Sequence, residues 1–149
     1  MSEHAATARR IIDANRYLTL ATADADGRPW VTPVWFAPEG YTDFIWVSRP
    51  STLHSTNIAV RPEVGIVVFD STVAIGQGQA VYIEAVAEQI ADTGADAAIA
   101  VFSARSEANG GRPWRPSDVV GAAAFRLYRA RAAALYILDE HDSRFRVDP

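Results

Sequence analysis

A run of hydroxyl side chains with one Arg and one His follows directly on the apolar stretch FIWV, in the segment SRPSTLHSTNIAVRP at residues 48–62. Where a helix begins, backbone N–H groups of its first turn have no partner within the helix and attract anions. The candidate anion-binding residues at this helix start are Ser48, Arg49, Ser51, Thr52 and His54. They combine hydroxyl donors with positive charge, to which the His adds when it is protonated. The segment is therefore a candidate anion site, of a kind that suits phosphate.

A simpler interpretation of the same segment is also open. Ser51 or Thr52 could only cap the helix, with Arg49 solvated and His54 an ordinary surface residue. The local sequence by itself favours this interpretation, because side chains of these types are common at helix starts without any ligand.

Pro33 is the second informative residue. It lies in the middle of the stretch TPVWF, which otherwise has the composition of a strand. Because Pro donates no backbone hydrogen bond, the strand is predicted to lie at a sheet edge or to contain a bulge. A free strand edge is a place where a ring with its own donors and acceptors can dock, although a plain edge strand without a ligand is the commoner meaning.

Two missing residue types restrict the chemistry. The chain has no Cys, and all 14 of its cationic residues are Arg. Thiol nucleophiles, Cys-ligated metals, Lys Schiff bases and Walker-type phosphate loops are therefore excluded. His4, His54 and His141 match no metal-ligand spacing, so no metal site is expected.

Length and charge indicate the class of protein. With 149 residues, of which 49% are hydrophobic, the chain is expected to form a single domain over residues 1–149. The net charge of -4 without any basic run argues against nucleic acid as a partner. No apolar run reaches the roughly 18 residues of a membrane helix, and the N-terminus lacks the apolar core of a signal peptide. A soluble, cytoplasmic protein is expected.

The periodicity of apolar residues predicts many short strands and a few helices. Helices are expected at residues 3–15, 51–61 and 95–107, the first capped by Ser2 and the last by Asp92 or Thr93, and strands at 17–22, 28–37, 44–48, 64–69, 79–90, 123–131, 134–139 and 145–147. Residues 37–40, APEG, are expected to form a turn. The strand at 44–48 is apolar on both faces, which predicts burial on both. This order indicates a mainly β fold with helices, an α+β small barrel and not an alternating βαβ sheet.

The order and spacing of several stretches resemble the pyridoxamine 5′-phosphate oxidase-like family of split β-barrels. These stretches are YLTLAT, DGRP, TPVWF, FIWVS, HSTNI and RPEV, within residues 8–90. The resemblance implies a homodimer that binds FMN between its subunits, with the ring against the second strand and the phosphate after the third. The residues that it assigns to the cofactor are Thr32, Pro33, Val34, Trp35 and Phe36 along the ring and ribityl chain, and Ser48 and His54 near the phosphate.

The sequence departs from the family pattern at three positions. His54 falls where the family usually has Lys or Arg, and Leu53 falls where the vitamin-processing members have a second cation. Arg49 or a partner residue would have to supply the missing charge. The ring-contacting Gln of the family aligns best with Ala80, which leaves Gln79 as a substitute shifted by one residue.

The resemblance implies hydride transfer to or from the flavin, with no catalytic acid or base that the sequence identifies. The C-terminal segment does not match the substrate-binding segment of the vitamin B6 oxidases, so pyridoxamine phosphate is not expected as the substrate. Two alternatives remain open. One is a reductase that uses the deazaflavin F420, whose acidic tail could be held by Arg112, Arg115 or Arg129. The other is a protein that binds flavin or haem without turnover.

Overall fold

The computed structural model describes residues 1–148 and contains three helices, eight strands and two short 3₁₀ turns. In chain order the elements are α1 (Glu3–Ala14), β1 (Tyr17–Ala23), β2 (Pro29–Trp35), β3 (Ala37–Glu39), β4 (Asp43–Ser48), α2 (Leu53–Val60), β5 (Glu63–Phe69), β6 (Ala80–Gln89), α3 (Ala95–Ala108), β7 (Arg126–Leu138) and β8 (Arg144–Val147). None of the helices in this part of the chain has the length and apolar character needed to span a membrane.

All the strands belong to one antiparallel sheet. Its order is β2-β1-β5-β6-β7-β4-β3, with β8 paired to β7. The sheet curls so far that β2 also contacts β4. The predicted class, a mainly β split barrel with helical additions, is confirmed. β2 pairs with β1 alone, so the expectation that the Pro33 strand lies at a sheet edge is confirmed as well.

Strand β4, which lies between β7 and the edge strand β3, divides the apolar interior into two cores. Phe44 and Trp46 point into the barrel, where they pack with Phe36. Ile45, on the opposite face of β4, packs against Phe102 of α3. Side chains alternate between the two faces of a strand, so a strand buried on both faces must be apolar throughout. The expectation for residues 44–48 is confirmed. The second core, which contains Ile45 and Phe102 and is called the outer core below, holds α3 beside β4.

The segment 37–40 is not a turn, contrary to the expectation. Ala37 to Glu39 form strand β3 and pair with β4, and the chain reverses one step later. Gly40 and Tyr41 there have φ angles of 60° and 58°. Gly adopts this conformation without steric cost, which explains why the reversal begins at Gly40 and not at Pro38.

Two further differences concern the C-terminal half. The strands expected at 123–131 and 134–139 are one continuous strand, β7, which a register shift opposite Glu84 and Ala85 allows to bend. Neither Asp92 nor Thr93 caps α3, whose preceding residue Gly94 provides no side chain. Asp92 instead accepts a hydrogen bond from the backbone N–H of Gly121 at 3.1 Å.

Candidate functional site

A cavity of about 650 Å³ opens between β2, the end of β4, the start of α2, and α3 with the loop that follows it. This β2–α3 cavity has the size of a small-molecule site. The side chains and backbone that line it belong to Arg16, Tyr17, Pro33, Val34, Trp35, Val47, Ser48, His54, Phe102, Ser106, Asn109, Gly110, Gly111, Arg112, Trp114 and Phe125.

One wall of the cavity consists of residues that the sequence nominated for a cofactor. Pro33, Val34 and Trp35 come from the edge strand β2, Ser48 from the end of β4 and His54 from the first turn of α2. The barrel brings β2 and the end of β4 together by curling, although the two strands are far apart in the order of the sheet. Five of the eleven nominated residues therefore converge on one surface.

Ser48 and His54 form a buried polar pair at the α2 end of this wall. The Oγ of Ser48 lies 2.8 Å from the Nε2 of His54, and both residues are only 8% exposed. Burial lowers the pKa of His54 below its ordinary value of 6.5. The imidazole is therefore neutral at pH 7, and it serves the cavity as a hydrogen-bonding group and not as a fixed positive charge. It is also not the surface residue that the simpler interpretation assumed.

The remaining residues nominated around α2 lie at or outside the rim. The Oγ1 of Thr52 accepts a hydrogen bond from the backbone N–H of Ser55 at 3.4 Å, so α2 begins at Leu53 and Thr52 is its cap. Thr52 Oγ1 also lies 3.3 Å from His54 Nε2. Ser51 is exposed and does not line the cavity. Arg49 places its guanidinium 4.7 Å from the ring centre of Phe125, which does line it.

Three nominated residues are not brought to this cavity. Phe36 is fully buried and packs in the barrel core with Phe44 and Trp46. Thr32 lies on β2, where its hydroxyl is 3.4 Å from the carbonyl oxygen of Pro33. Gln79 accepts a hydrogen bond from Arg10 at 2.8 Å and lines a different cavity, of about 770 Å³, beside α1. Within one chain Gln79, which directly precedes β6, does not line the β2–α3 cavity, so its contact with a cofactor stays a prediction.

The second wall of the cavity was not anticipated from the sequence. Phe102 packs edge-on against Trp35 at 4.7 Å between ring centres and against Trp114 at 5.4 Å. Trp114 in turn meets Phe125 edge-on at 6.1 Å. Such perpendicular contacts are a favourable aromatic geometry. The only sequence signal was the placement of aromatic residues in and around the loop NGGRPWRP, and the spacing did not say what they would contact.

The loop of the second wall is tied closely to α3. Ser106 donates from its Oγ to the backbone carbonyl of Arg112 at 2.7 Å, and Ser103 accepts from the backbone N–H of Trp114 at 2.8 Å. A Cβ at Gly111 would overlap the Ser106 side chain and lie 3.1 Å from its carbonyl oxygen. Gly is therefore required where the loop crosses the helix, and the crossing fixes residues 112–114 over the cavity.

The charge of the cavity is opposite to that of the whole chain. Arg16 and Arg112 line it, and none of the lining residues is Asp or Glu, although the chain carries a net charge of -4. A site with positive side chains and no carboxylate favours anionic ligands. Together with its aromatic walls, the cavity has the chemistry to hold a planar ring that carries an anionic group.

Comparison with known proteins identifies the family. The sequence profile described as pyridoxamine 5′-phosphate oxidase matches residues 5–139. The chain therefore belongs to the pyridoxamine 5′-phosphate oxidase family. No curated protein matches the sequence closely enough to be significant.

Solved structures with the same fold have different ligands in their names. A haem-binding protein from Mycobacterium smegmatis superposes with a TM-score of 0.77 at 19% identity, over 99% of this chain but only 58% of its own. An F420 reductase superposes with a TM-score of 0.58 at 23% identity, over 80% of this chain and 87% of its own. An FAD-binding protein from Mesorhizobium loti gives 0.62 at 20% identity, over 91% and 90%. At these identities the similarity establishes the fold alone.

The neutral state of His54 makes stability depend on pH. Since its pKa is lowered in the folded chain from the ordinary 6.5, the unfolded chain takes up this proton first as the pH falls. We therefore expect the free energy of unfolding to decrease as the pH falls from about 7 through the ordinary value and on to the folded-state pKa. His54→Gln should remove this part of the decrease, because the amide keeps a hydrogen-bonding group but does not titrate. Urea denaturation of both proteins between pH 5 and 8 would test this, and equal slopes in the two proteins would contradict it.

Proposed function

We propose that the chain is an FMN-dependent oxidoreductase that uses the β2–α3 cavity. The observation that carries the proposal is the convergence of a buried hydroxyl–imidazole pair, a helix start, aromatic walls and arginines on one cavity, in a member of a family named for a phosphate-containing substrate. A flavin needs both a planar apolar slot and donors for its phosphate, and these lie on neighbouring parts of one surface.

The residues around the start of α2 are suited to the phosphate. Ser48 and His54 present a hydroxyl and a ring nitrogen, and the first turn of α2 supplies backbone N–H groups. Arg49, at the rim, adds the permanent positive charge that the neutral imidazole lacks. Ser51 and Thr52 complete the polar rim around this end of the cavity.

The residues along β2 are suited to the ring. Pro33, Val34 and Trp35 lie at an unpaired strand edge, where backbone groups can bond to a heterocycle. Bound FMN would supply the acceptance or donation of a hydride. The chain would orient the ring and exclude water from one face, and the lining offers no carboxylate to act as a general acid or base.

F420 is a second candidate cofactor, and one structural neighbour is named an F420 reductase. Of the three arginines suggested for its acidic tail, Arg112 lines the cavity. Arg129 is engaged elsewhere, because it contacts Glu39 at 3.2 Å and Asp43 at 4.0 Å. Arg115 does not line the cavity. A non-catalytic flavin- or haem-binding protein is the third candidate, in line with the name of the haem-binding neighbour.

Turnover separates these candidates. The protein would be saturated in separate samples with FMN, F420 and haem, and reduced pyridine nucleotide or reduced F420 would then be added in the absence of oxygen. We expect bleaching of bound FMN by NADH or NADPH, and reoxidation when an acceptor is added. Binding of FMN without reduction would favour the non-catalytic protein, whereas turnover with F420 alone would favour the second candidate.

We also propose that two copies of this chain form a homodimer through the outer face of β1, β2, β5 and β6. This face carries Val31 and Tyr82, which are 56% and 37% exposed, around an apolar groove of about 420 Å³. Exposed apolar patches of this kind mark interaction surfaces. A second copy is the occupant that we favour, because such a sheet face can bury itself against its own two-fold copy.

Val31→Asp is expected to raise the dissociation constant of the dimer on the order of a hundredfold, because it places an unpaired charge in the interface. Val60→Asp is the matched control, since Val60 is also exposed, at 63%, but lies on α2. Sedimentation equilibrium would give both dissociation constants. A wild-type monomer, or an equal effect of the two substitutions, would contradict the proposed interface.

A further inference from the structure

Most of the roles proposed above belong to residues of one wall of the β2–α3 cavity. The lining residues proposed above to contact FMN lie on the first wall, which β2, β4 and α2 provide. On the second wall, from α3 and the loop at 109–114, only Arg112 has been given a role, toward the acidic tail of F420 in the second candidate. The second wall presents a different set of chemical groups to the cavity.

Arg112 is the charged group of the second wall. Its guanidinium carbon lies 3.6 Å from the ring centre of Trp114, a close cation–π contact. Its Nη1 donates to the carbonyl oxygen of Pro113 at 3.1 Å and contacts Asp118 at 3.3 Å. The structure shows no protein acceptor for Nε or Nη2 among residues 1–148, and the side chain is 53% exposed. Arg112 thus holds a fixed orientation while two of its nitrogens remain available.

The acidic partner of Arg112 does not cancel its role toward a ligand. Asp118 accepts a hydrogen bond from the backbone N–H of Arg115 at 2.8 Å, and it does not line the cavity. Its contact with Nη1 restrains the Arg112 side chain and leaves Nε and Nη2 without a protein partner among residues 1–148. A fixed guanidinium with free donors is suited to an oxyanion, and planar carboxylates match its geometry.

Arg16 strengthens the same electrostatic preference from another side of the cavity. It follows α1, lines the cavity and is exposed. The structure shows no side-chain hydrogen bond or ion pair for it within residues 1–148. The same cavity is also lined by the aromatic side chains of Phe102, Trp114 and Phe125. These surfaces suit the face of a flat molecule.

We propose that the second wall is the substrate side of the site, and that the substrate is a planar conjugated or aromatic molecule carrying a carboxylate, which Arg112 binds with help from Arg16. This inference rests on the proposed function, because it takes the first wall as the cofactor side. It adds the chemical class of the substrate and names the residue that selects it.

The test compares two probes that differ in charge and little in shape, trans-cinnamate and cinnamamide. Their affinities would be measured by ligand-observed NMR titration on the wild-type protein, both as purified and after saturation with FMN. We expect cinnamate to bind about tenfold more tightly than cinnamamide, the size of one charge-assisted contact at a partly exposed site. Added salt should reduce this ratio.

Arg112→Gln should bring the ratio close to one, and Arg16→Gln should reduce it less. Arg115→Gln is the matched control, because Arg115 lies in the same segment but not in the cavity. Equal affinities of the two probes in the wild type, or an equal loss in the Arg112 and Arg115 variants, would overturn the proposal.

The measurement also separates this inference from the proposed function. If the protein fails to bind FMN but keeps a preference for cinnamate that depends on Arg112, the proposal for the second wall is supported and the flavin proposal is wrong. If FMN binds and cinnamate shows no preference, the flavin proposal stands and the substrate class is wrong. If Arg112→Gln weakens F420 binding and leaves the probe ratio unchanged, Arg112 belongs to the cofactor side and the inference is overturned.

Discussion

Phe102→Ala is expected to lower the free energy of unfolding by about 3–5 kcal/mol, the range for removing a buried aromatic side chain. Phe102 is 3% exposed and belongs to the outer core between α3 and β4. It also touches the rings of both Trp35 and Trp114. Its loss therefore removes the contact that holds the two walls of the cavity at a fixed separation, and ligand binding should weaken together with stability.

Phe102→Leu separates the two effects of this substitution. Leu keeps most of the buried volume, so the cost in stability should be about 1 kcal/mol, while the edge contacts to the two indoles are lost. Urea denaturation would report the stability, and tryptophan fluorescence would report the surroundings of Trp35 and Trp114. A loss below about 1 kcal/mol in Phe102→Ala, with unchanged fluorescence, would contradict the role that the structure gives this residue.

Arg105→Met is the second substitution with a large expected effect, a loss of about 2–3 kcal/mol, because a charged donor is removed from several backbone acceptors. Arg105 lies on α3, and its Nη2 contacts the carbonyl oxygens of Ile12, Asp13 and Asn15 at 3.2, 3.4 and 2.9 Å. The last turn of α1 has no basic residue of its own. Arg105 thus satisfies carbonyl groups at the C-terminal end of α1 and complements the negative end of its dipole.

Arg105→Met should also disturb the cavity, because Arg16, which lines it, directly follows Asn15, whose carbonyl group Arg105 binds. Met retains much of the apolar stem of Arg, so the difference in unfolding free energy between the wild type and Arg105→Met reports the contribution of the guanidinium. Arg10→Met is the matched control, since Arg10 is an exposed residue of α1 bonded to Gln79, and it should cost less than about 0.5 kcal/mol. Denaturation curves in urea would give both values. A similar small loss in both variants would contradict the anchoring role.

Local patterns in the sequence were sufficient for much of the fold. Alternating apolar residues placed most of the strands, and Pro62 correctly ended α2 before β5. Pro33 marked an edge strand because a missing backbone donor has a direct consequence for sheet pairing. These features depend on a residue and its near neighbours, which is why the sequence alone reveals them.

The misplaced elements depend on contacts across the sheet. Pro38 and Gly40 suggest a turn, but pairing of β3 with β4 outweighs the turn preference of Pro38. The sequence predicts two strands, at 123–131 and 134–139, yet a register shift carries one strand through the residues between them. Neither outcome can be predicted from local propensity, because each requires knowledge of the partner strand.

In the candidate site, too, some residues could be predicted from the local sequence and others depend on contacts between distant parts of the chain. Ser48 and His54 are six positions apart, and a strand end followed by a helix start is enough to bring them together. Phe102 and Arg112 reach the cavity only because α3 packs on the outer core, through contacts between distant parts of the chain. Gln79 was nominated from the family pattern, and the fold of one chain places it in another cavity.

We propose that the β2–α3 cavity binds FMN with its phosphate at Ser48 and His54. The most direct measurement is a fluorescence-quenching titration of flavin-free protein with FMN, in the wild type and in Ser48→Val. We expect one FMN per chain with a micromolar or tighter dissociation constant, and about tenfold weaker binding in Ser48→Val because a buried hydroxyl partner is lost. Failure of the wild type to bind FMN, or equal affinity in the two proteins, would contradict it.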